Sequence, residues 1–232
     1  MKSDVVIVGG GPAGSTAAMF LIQEGIKPLI IEAETFPRYH IGESMTGEGG
    51  AVLRKLGLEE AMNRHRFPVK HGVKVYGPKG AGHWFVPVAA RTPDGQFQDA
   101  TTWQVRRNEF DKLLLDEAVA RGATLIKGKA TRPLVGDDGS VRGTEVRTED
   151  GSMMEVESEV LLDCSGIASY LANAGVTGPK YRGNYDKQIA IFSQIAHGIR
   201  DSGEQRDQQP GNAIIFYKKK YHWAWFIPLD DE

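Results

Sequence analysis

Two hydrophobic periods alternate along this chain, and its first forty residues show both. Residues 5–8, Val-Val-Ile-Val, form a continuous apolar run, the pattern of a parallel strand buried on both faces. A glycine cluster follows at 9–14. Residues 15–23 carry Ala17, Ala18, Phe20 and Leu21 near helical spacing, with Gly25 just past the end as a stop. Residues 28–31 are a second apolar strand with Glu32 at its tip. Helical spacing returns from near Gly47 through Ala51, Leu53 and Leu56 to Gly57, and again over 108–121, where Phe110, Leu113, Leu114 and Ala118 share one side and Gly122 ends the helix.

Strands are predicted at 69–76, 83–88, 101–105 and 123–126. The glycine-rich segment 77–82 joins two strands and does not open a helix, so it reads as a hairpin loop and not as a second nucleotide site. Residues 130–135, 142–148 and 153–156 read as a β-meander turning at 136–139 and 149–151. Residues 160–162 are a buried strand that ends in Asp163 and a glycine turn at Gly166. A long alternating strand is expected at 187–195, a mobile loop at 198–211, and two more strands at 213–217 and 221–227. Neither internal repeats nor low-complexity tracts are present.

Composition narrows the function classes. A length of 232 residues suits one or two domains. A net charge of −2 points to neither nucleic acid nor an anionic membrane. The single cysteine, Cys164, excludes an intramolecular disulfide and fits a reducing cytoplasm. Six histidines and that cysteine show no metal-ligand spacing, so no metal is expected. Lys2-Ser3-Asp4 before the glycine cluster argues against a signal peptide, and no apolar run approaches the ~20 residues of a membrane span. The expected location is cytoplasmic.

Gly9, Gly11 and Gly14 lie between a strand and a helix, in the setting that the Gly-x-Gly-x-x-Gly dinucleotide fingerprint requires. Gly9 permits the tight turn, Gly11 lets backbone approach a pyrophosphate, and Gly14 lets the helix pack close to the strand. Pro12 and Ala13 lie in the glycine cluster just before the helix, whose N-terminal N–H groups and partial positive charge suit phosphates. Glu32, 18 positions after Gly14, is placed to accept from a ribose diol. The fingerprint alone fits NAD or FAD. The polar segment Phe36-Pro37-Arg38-Tyr39-His40-Ile41-Gly42-Glu43-Ser44 stands where an NAD-type fold would continue with another strand–helix unit, and this favours FAD.

Tryptophan is rare here, at four copies, yet Trp223 and Trp225 flank a single alanine. In a strand both point the same way and build a stiff apolar wall, followed by Ile227 and by Pro228, which stops the strand or puts it at an edge. Such a wall is either core or a partition beside a cofactor.

The fingerprint, the Asp-x-Ser-Gly strand end and the inserted meander resemble the FAD domain of the p-hydroxybenzoate hydroxylase-type flavoproteins. The Trp-x-Trp-x-Ile-Pro segment, with Phe-Pro-Arg-Tyr-His-Ile-Gly-Glu-Ser, resembles the flavin-dependent halogenases, and the resemblance covers essentially the whole chain. It implies an α/β fold: a Rossmann-like FAD-binding domain with an inserted β-meander, plus part of a mainly antiparallel substrate-side sheet. The expected division is 1–66 (FAD-binding), 67–104 (substrate-side strands), 105–182 (FAD-binding with the meander) and 183–232 (further substrate-side strands).

The resemblance also implies a chemistry. Reduced FAD, used as a cosubstrate, reacts with O₂. Chloride or bromide is oxidised to hypohalous acid, which travels down a tunnel, and a lysine delivers it to an organic substrate. That substrate is expected to be aromatic, either free or tethered to a carrier protein. Val69-Lys70-His71-Gly72-Val73-Lys74 matches the family's lysine segment, apart from Val in place of an aromatic residue, so Lys70 is the expected catalytic lysine. On residues alone Lys70 is one of many surface lysines that start a strand. Trp223, Trp225, Ile227 and Pro228 would form the tunnel partition that keeps substrate from the flavin. Arg38 and His40 would meet the FAD phosphates, Ile41, Gly42 and Ser44 would run near the flavin, and Gln104 and Arg107 would flank it. Asp163 would face FAD or simply end its strand. A separate flavin reductase is implied as partner, because no second nicotinamide site is visible.

One departure stands out. The later Gly-Asp-Ala-type segment that holds the flavin in this class is missing, so the chain is expected to be the N-terminal part of a longer enzyme. Two other readings share the motifs: a flavin-dependent monooxygenase or reductase of the same fold, and an inactive FAD-domain fragment that at most binds nucleotide.

Overall fold

A computed structural model describes residues 1–80, 82–181, 183–184, 188–219 and 222–230. The elements in chain order are β1 (Lys2–Val8), α1 (Pro12–Gln23), β2 (Leu29–Glu32), α2 (Gly47–Lys55), α3 (Glu59–Arg64), β3 (Val69–Lys70), β4 (Gly72–Tyr76), β5 (His83–Pro87), β6 (Ala89–Arg91), β7 (Phe97–Asp99), β8 (Thr102–Trp103), α4 (Arg107–Ala120), β9 (Thr124–Val135), β10 (Val141–Thr148), β11 (Met153–Asp163), α5 (Tyr170–Asn173), β12 (Ala213–Lys219) and β13 (His222–Phe226). They form two compact units, Met1–Tyr39 with Asn108–Ile189 and His40–Arg107 with Ala190–Glu232. Residues 40–66 therefore pack with the second unit.

The first unit is built on five strands whose ladders close on themselves in the order β1-β11-β10-β9-β2. β1 lies parallel to β2 and β11, and β9 lies parallel to β2. The apolar run of β1 explains its central place: Val6 and Ile7 are fully buried, and Val6 joins Leu29, Ile31, Val146 and Val156 in one cluster. Burying each such side chain contributes about 1.5–3 kcal/mol. The meander strands are longer than their sequence patterns indicate. The segments at 123–126 and 130–135 merge into the single strand β9, and those at 153–156 and 160–162 merge into β11. The short polar stretches between them interrupt the apolar pattern without interrupting the ladder, with Gly128 and Ser158 buried and Lys129, Glu157 and Glu159 exposed.

The second unit carries a four-stranded sheet in the order β13-β12-β4-β5. β12 runs parallel to β4, and the two outer pairs are antiparallel. β4 and β5 form the hairpin expected across 77–82. The strand expected at 69–76 is broken at His71. Lys70 pairs with Thr102 of β8, whereas Gly72 pairs with Pro87 of β5. The break is held by Asn212, whose Oδ1 accepts from the His71 and Gly72 N–H groups at 2.9 and 2.8 Å. Gly72 suits the site because a Cβ there would lie 2.1 Å from the Phe85 ring.

One predicted strand is absent. Residues 188–195 adopt no strand, and Ile189, Ile191, Phe192 and Ile195 are exposed. An alternating pattern supplies the faces of a strand but not its ladder partner, and no described strand pairs with this segment. Lys187, the first residue of that prediction, lies outside the described residues, as do Lys220 and Tyr221. The strand expected at 101–105 shortens to β8, and β13 ends at Phe226. The β6–β7 hairpin and α5 have no counterpart in the sequence prediction. Among the described residues no helix is long and apolar enough to cross a membrane.

The segment expected as a loop, 198–211, contains a 3₁₀ turn at Arg206–Gln208. It lies over one face of the four-stranded sheet. Lys74 Nζ contacts Asp201 Oδ2 at 2.8 Å, His83 pairs with Asp207 at 3.3 Å, and Gly198 packs on the Phe226 ring. Register places all three sheet residues on that same face. The other face holds Trp225, Ile215, Val75 and Trp84 in one row, with Trp223 and Tyr217 in the next.

Candidate functional site

In the first unit the glycine turn has the geometry that its spacing requires. Gly9 has φ +105°, in the left-handed region, and a Cβ there would lie 2.4 Å from Cys164 O. A Cβ on Gly14 would lie 1.9 Å from Gly9 O, so only glycine lets α1 approach β1 this closely. Pro12 occupies the first turn of α1, where its missing N–H costs nothing, and no side chain caps the helix. Ala13 is exposed beside it.

Two side chains frame this turn. Glu32 is buried, its Oε2 accepts from Gly10 N–H at 2.6 Å, and its Oε1 accepts from Glu34 N–H at 2.7 Å. Each carboxylate oxygen keeps a second lone pair, so the group can still accept from a diol. Arg38 has Nε 2.8 Å from Glu34 and Nη1 3.1 Å from Asp111. Neither contact is aligned as a hydrogen bond, and both nitrogens are buried. The guanidinium also lies over the Phe36 ring, 4.7 Å from its centroid. This fixes Nη2 beside Gly11, 3.2 Å from where a Cβ would stand, and among the described residues outside the turn itself no other atom lies within 4 Å of that point. An uncapped helix start, an open glycine backbone, a held guanidinium and a buried carboxylate fit the pyrophosphate and ribose of a dinucleotide.

Asp163 ends β11. Its carboxylate accepts from Ser165 N–H and Oγ–H at 3.1 and 2.6 Å and from Leu171 N–H at 2.8 Å. Burial would raise this carboxyl, but the hydrogen bonds from Ser165, Leu171 and Tyr170 outweigh it and hold the group below the usual range. The same burial, aided by Asp163, pushes the Cys164 thiol up.

The second unit holds the remaining candidates. His40, Ile41 and Gly42 are exposed. Arg107 Nη1 donates to Ile41 O at 2.7 Å and lies 3.0 Å from where a Gly42 Cβ would stand, so Gly42 makes room for the guanidinium. Burial raises the Glu43 carboxyl, against the opposing effects of Arg107 and Gln194. Gln104 is fully buried, and its amide donates to Gly211 O at 2.9 Å.

Lys70 departs furthest from an ordinary surface lysine. It is 6% exposed, and Nζ donates to Ser44 Oγ and to Met45 O, both at 2.9 Å. Among the described residues no carboxylate pairs with it. Burial alone lowers its pKa to about 8. Its strand partner Thr102 has a buried Oγ1 without a hydrogen-bond partner, as does Gln104 Oε1.

Trp223 and Trp225 share a face, as their spacing predicts, but they are not core: they are 44% and 49% exposed on the outermost strand of their sheet. Ile227 is half-buried and Pro228 is buried beyond the strand end. Among the described residues no cluster of His, Cys, Asp or Glu could hold a metal. Sequence reasoning did not single out Ser44 as a partner of the lysine, nor Met45 O, Asn212 or Lys74. Ser44 was legible only as part of the segment after β2, and Asn212 only as the residue after a Pro-Gly loop end.

Comparison with known proteins places the chain. The profile of the family described as "FAD binding domain" matches residues 2–193, and the chain belongs to this family. It is 37% identical over 231 residues to a 1H-pyrrole-2-carbonyl-[peptidyl-carrier protein] brominase of Pseudoalteromonas luteoviolacea, covering 99% of this chain and 52% of that protein. A flavin-dependent halogenase of Armillaria mellea, armH4, is 30% identical over 235 residues, covering 99% of this chain and 44% of the relative. Among solved structures, the flavin-dependent brominase Bmp2 superposes with a TM-score of 0.80 at 34% identity, covering 100% of this chain and 54% of that one. The chain thus spans about half the length of the halogenases it matches.

Proposed function

We propose that the protein to which this chain belongs is a flavin-dependent halogenase in which Lys70 delivers the halogen. The observation that carries this reading is the buried Lys70 amine, unpaired with any carboxylate among the described residues, in a chain 34% identical to a flavin-dependent brominase. Bound reduced FAD, with O₂, supplies the oxidising equivalent that turns chloride or bromide into hypohalous acid. Gly9, Gly11, Pro12, Ala13, Gly14, Glu32 and Arg38 hold the dinucleotide's phosphates and ribose. His40 also meets the phosphates, Ile41, Gly42, Ser44, Gln104 and Arg107 belong to the flavin side, and Asp163 ends the strand whose following turn meets Gly9. An amine whose pKa lies near 8 is partly neutral at physiological pH. It can donate to the oxygen of hypohalous acid or take its halogen. Trp223 and Trp225, with Ile227 and Pro228, present a face that a bulky substrate cannot cross while a small oxidant can.

The resemblance implies an organic, aromatic acceptor, and the named brominase acts on a pyrrole carried by a peptidyl-carrier protein. A carrier-tethered aromatic ring is therefore the first substrate to test, with a separate flavin reductase as the source of reduced FAD. The assay uses the complete gene product with reductase, chloride or bromide, and tethered and free aromatic acceptors. Halogenated product is expected, and Lys70→Ala should lower its rate at least about 100-fold while FAD binding persists. Oxygen insertion without halide incorporation would favour a monooxygenase instead. Full halogenation by Lys70→Ala would remove the lysine from the mechanism.

A further inference from the structure

The two hydrogen bonds of Lys70 leave one direction open. A protonated amine has three N–H groups, and here two are taken, by Ser44 Oγ and by Met45 O. With Cε as the fourth substituent, a single tetrahedral position on Nζ stays free. When the amine is neutral, the same two acceptors hold its two remaining hydrogens, and the lone pair occupies that free position. The direction is thus the same in both protonation states.

We propose that Ser44 is a positioning residue for the halogen transfer proposed above, fixing Nζ with the Met45 carbonyl so that its one free position meets hypohalous acid. The inference rests on Lys70 acting as the delivering amine. In the transfer, the Nζ lone pair forms a bond to the halogen and the O–X bond breaks with its electron pair on oxygen. The Nζ proton joins the departing hydroxide, giving water and a haloamine. Attack by the substrate ring then moves the halogen from nitrogen to carbon. The ring proton is released, and the electron pair returns to Nζ, which regains its hydrogen.

The setting favours the hydroxyl as a tunable partner. Met45 O lies just before α2, whose N-cap Thr46 accepts from Gly49 N–H at 3.2 Å, so this carbonyl is fixed by backbone. Ser44 forms the isolated bridge to Gln104, which is itself tied to Gly211. Among the described residues no carboxylate pairs with Nζ, and burial is the cause that lowers its pKa. Among the described residues the Ser44 hydroxyl is the side-chain acceptor that Nζ meets.

The test compares the wild-type gene product with Ser44→Ala, Ser44→Cys and Ser44→Thr. Cysteine keeps the volume but accepts weakly, and serves if the alanine variant folds poorly. Lysine labelled with ¹³C at Cε gives the Lys70 titration by NMR without flavin, assigned through Lys70→Arg. Loss of the acceptor destabilises the ammonium, so the midpoint should fall by about one unit in Ser44→Ala and Ser44→Cys and return in Ser44→Thr. In turnover, the ratio of halogenated substrate to hypohalous acid trapped by an added diketone should fall about tenfold in the first two variants and recover in the third. An unmoved midpoint, or a moved midpoint with an unchanged ratio, overturns the role of Ser44. Undiminished transfer by Lys70→Ala overturns the lysine reading itself, whatever Ser44 does.

Discussion

Lys74 Nζ lies 2.8 Å from Asp201 Oδ2, and this ion pair fastens the 198–208 segment to the covered face of the four-stranded sheet. Lys74 is 3% exposed, and among the described residues Asp201 is the carboxylate that pairs with its ammonium. Asp201→Ala leaves a buried, unpaired charge and should cost about 2–3 kcal/mol, at or below the usual range for a fully buried pair because Asp201 itself is a third exposed. Lys74→Met replaces the charge by apolar volume and should cost less. Urea unfolding checks the order, and limited proteolysis should cut 198–208 faster in both variants, since each removes the ion pair.

Arg38 reaches the Gly11 turn with one nitrogen while two carboxylates hold the rest of its fork. Arg38→Ala should weaken FAD binding by about 10- to 100-fold. Arg38→Lys should not restore it, because a point charge cannot keep both carboxylates and still present a donor to phosphate. Fluorescence titration with FAD measures this, and an unchanged Kd in both variants would place the phosphates elsewhere.

The lowered pKa of Lys70 makes a signed statement about stability. The folded value is about 8, below the ordinary value of 10.5. Below pH 8 the amine is charged in both states and the burial cost is fully present. Between about pH 8 and 10.5 the unfolded chain binds more protons, so this contribution to stability rises with pH. Lys70→Met removes it. The variant should exceed wild type by up to about 3 kcal/mol near pH 7 and by much less near pH 10. Denaturant unfolding of both proteins across that range tests the slope of the difference.

Asn212 joins the two halves of the broken strand. Its Oδ1 serves the His71 and Gly72 amides, and its Nδ2 donates to Arg206 O at 2.7 Å. Asn212→Ala orphans both amides and should cost about 2–4 kcal/mol, whereas Asn212→Asp keeps the acceptor for both amides but buries a carboxylate whose second oxygen faces the Arg206 carbonyl. Hydrogen exchange at His71 and Gly72 should accelerate in the alanine variant and stay slow in the aspartate one.

The glycine turn was legible because the backbone, not the environment, dictates it. Gly9, Gly14 and the flanking strand and helix leave few other conformations, and the turn lies where their spacing puts it. The half-exposed wall at Trp223 and Trp225 was legible for the same reason, since alternation fixes which face a side chain takes. The contacts of Lys70 were not. Nothing in residues 69–74 says that the amine turns inward, because that depends on Ser44 and Met45, brought in by a bridge to Gln104 far along the chain. The strand expected at 187–195 fails on the same principle: alternation can be read locally, but pairing cannot. The merged strands β9 and β11 show the reverse case, where a ladder carries a strand across polar positions that local pattern would end.

Three of the four tryptophans, Trp84, Trp223 and Trp225, lie on the open sheet face, while Trp103 is buried. The intrinsic fluorescence of this chain is therefore weighted toward a surface, not toward the interior. Anything that settles on that face, whether another chain or an apolar ring, will blue-shift the emission without any change in folding. A quencher in solution will reach three indoles and spare one, so the buried fraction of the signal isolates Trp103 and, with it, the integrity of the β8 strand beside Lys70.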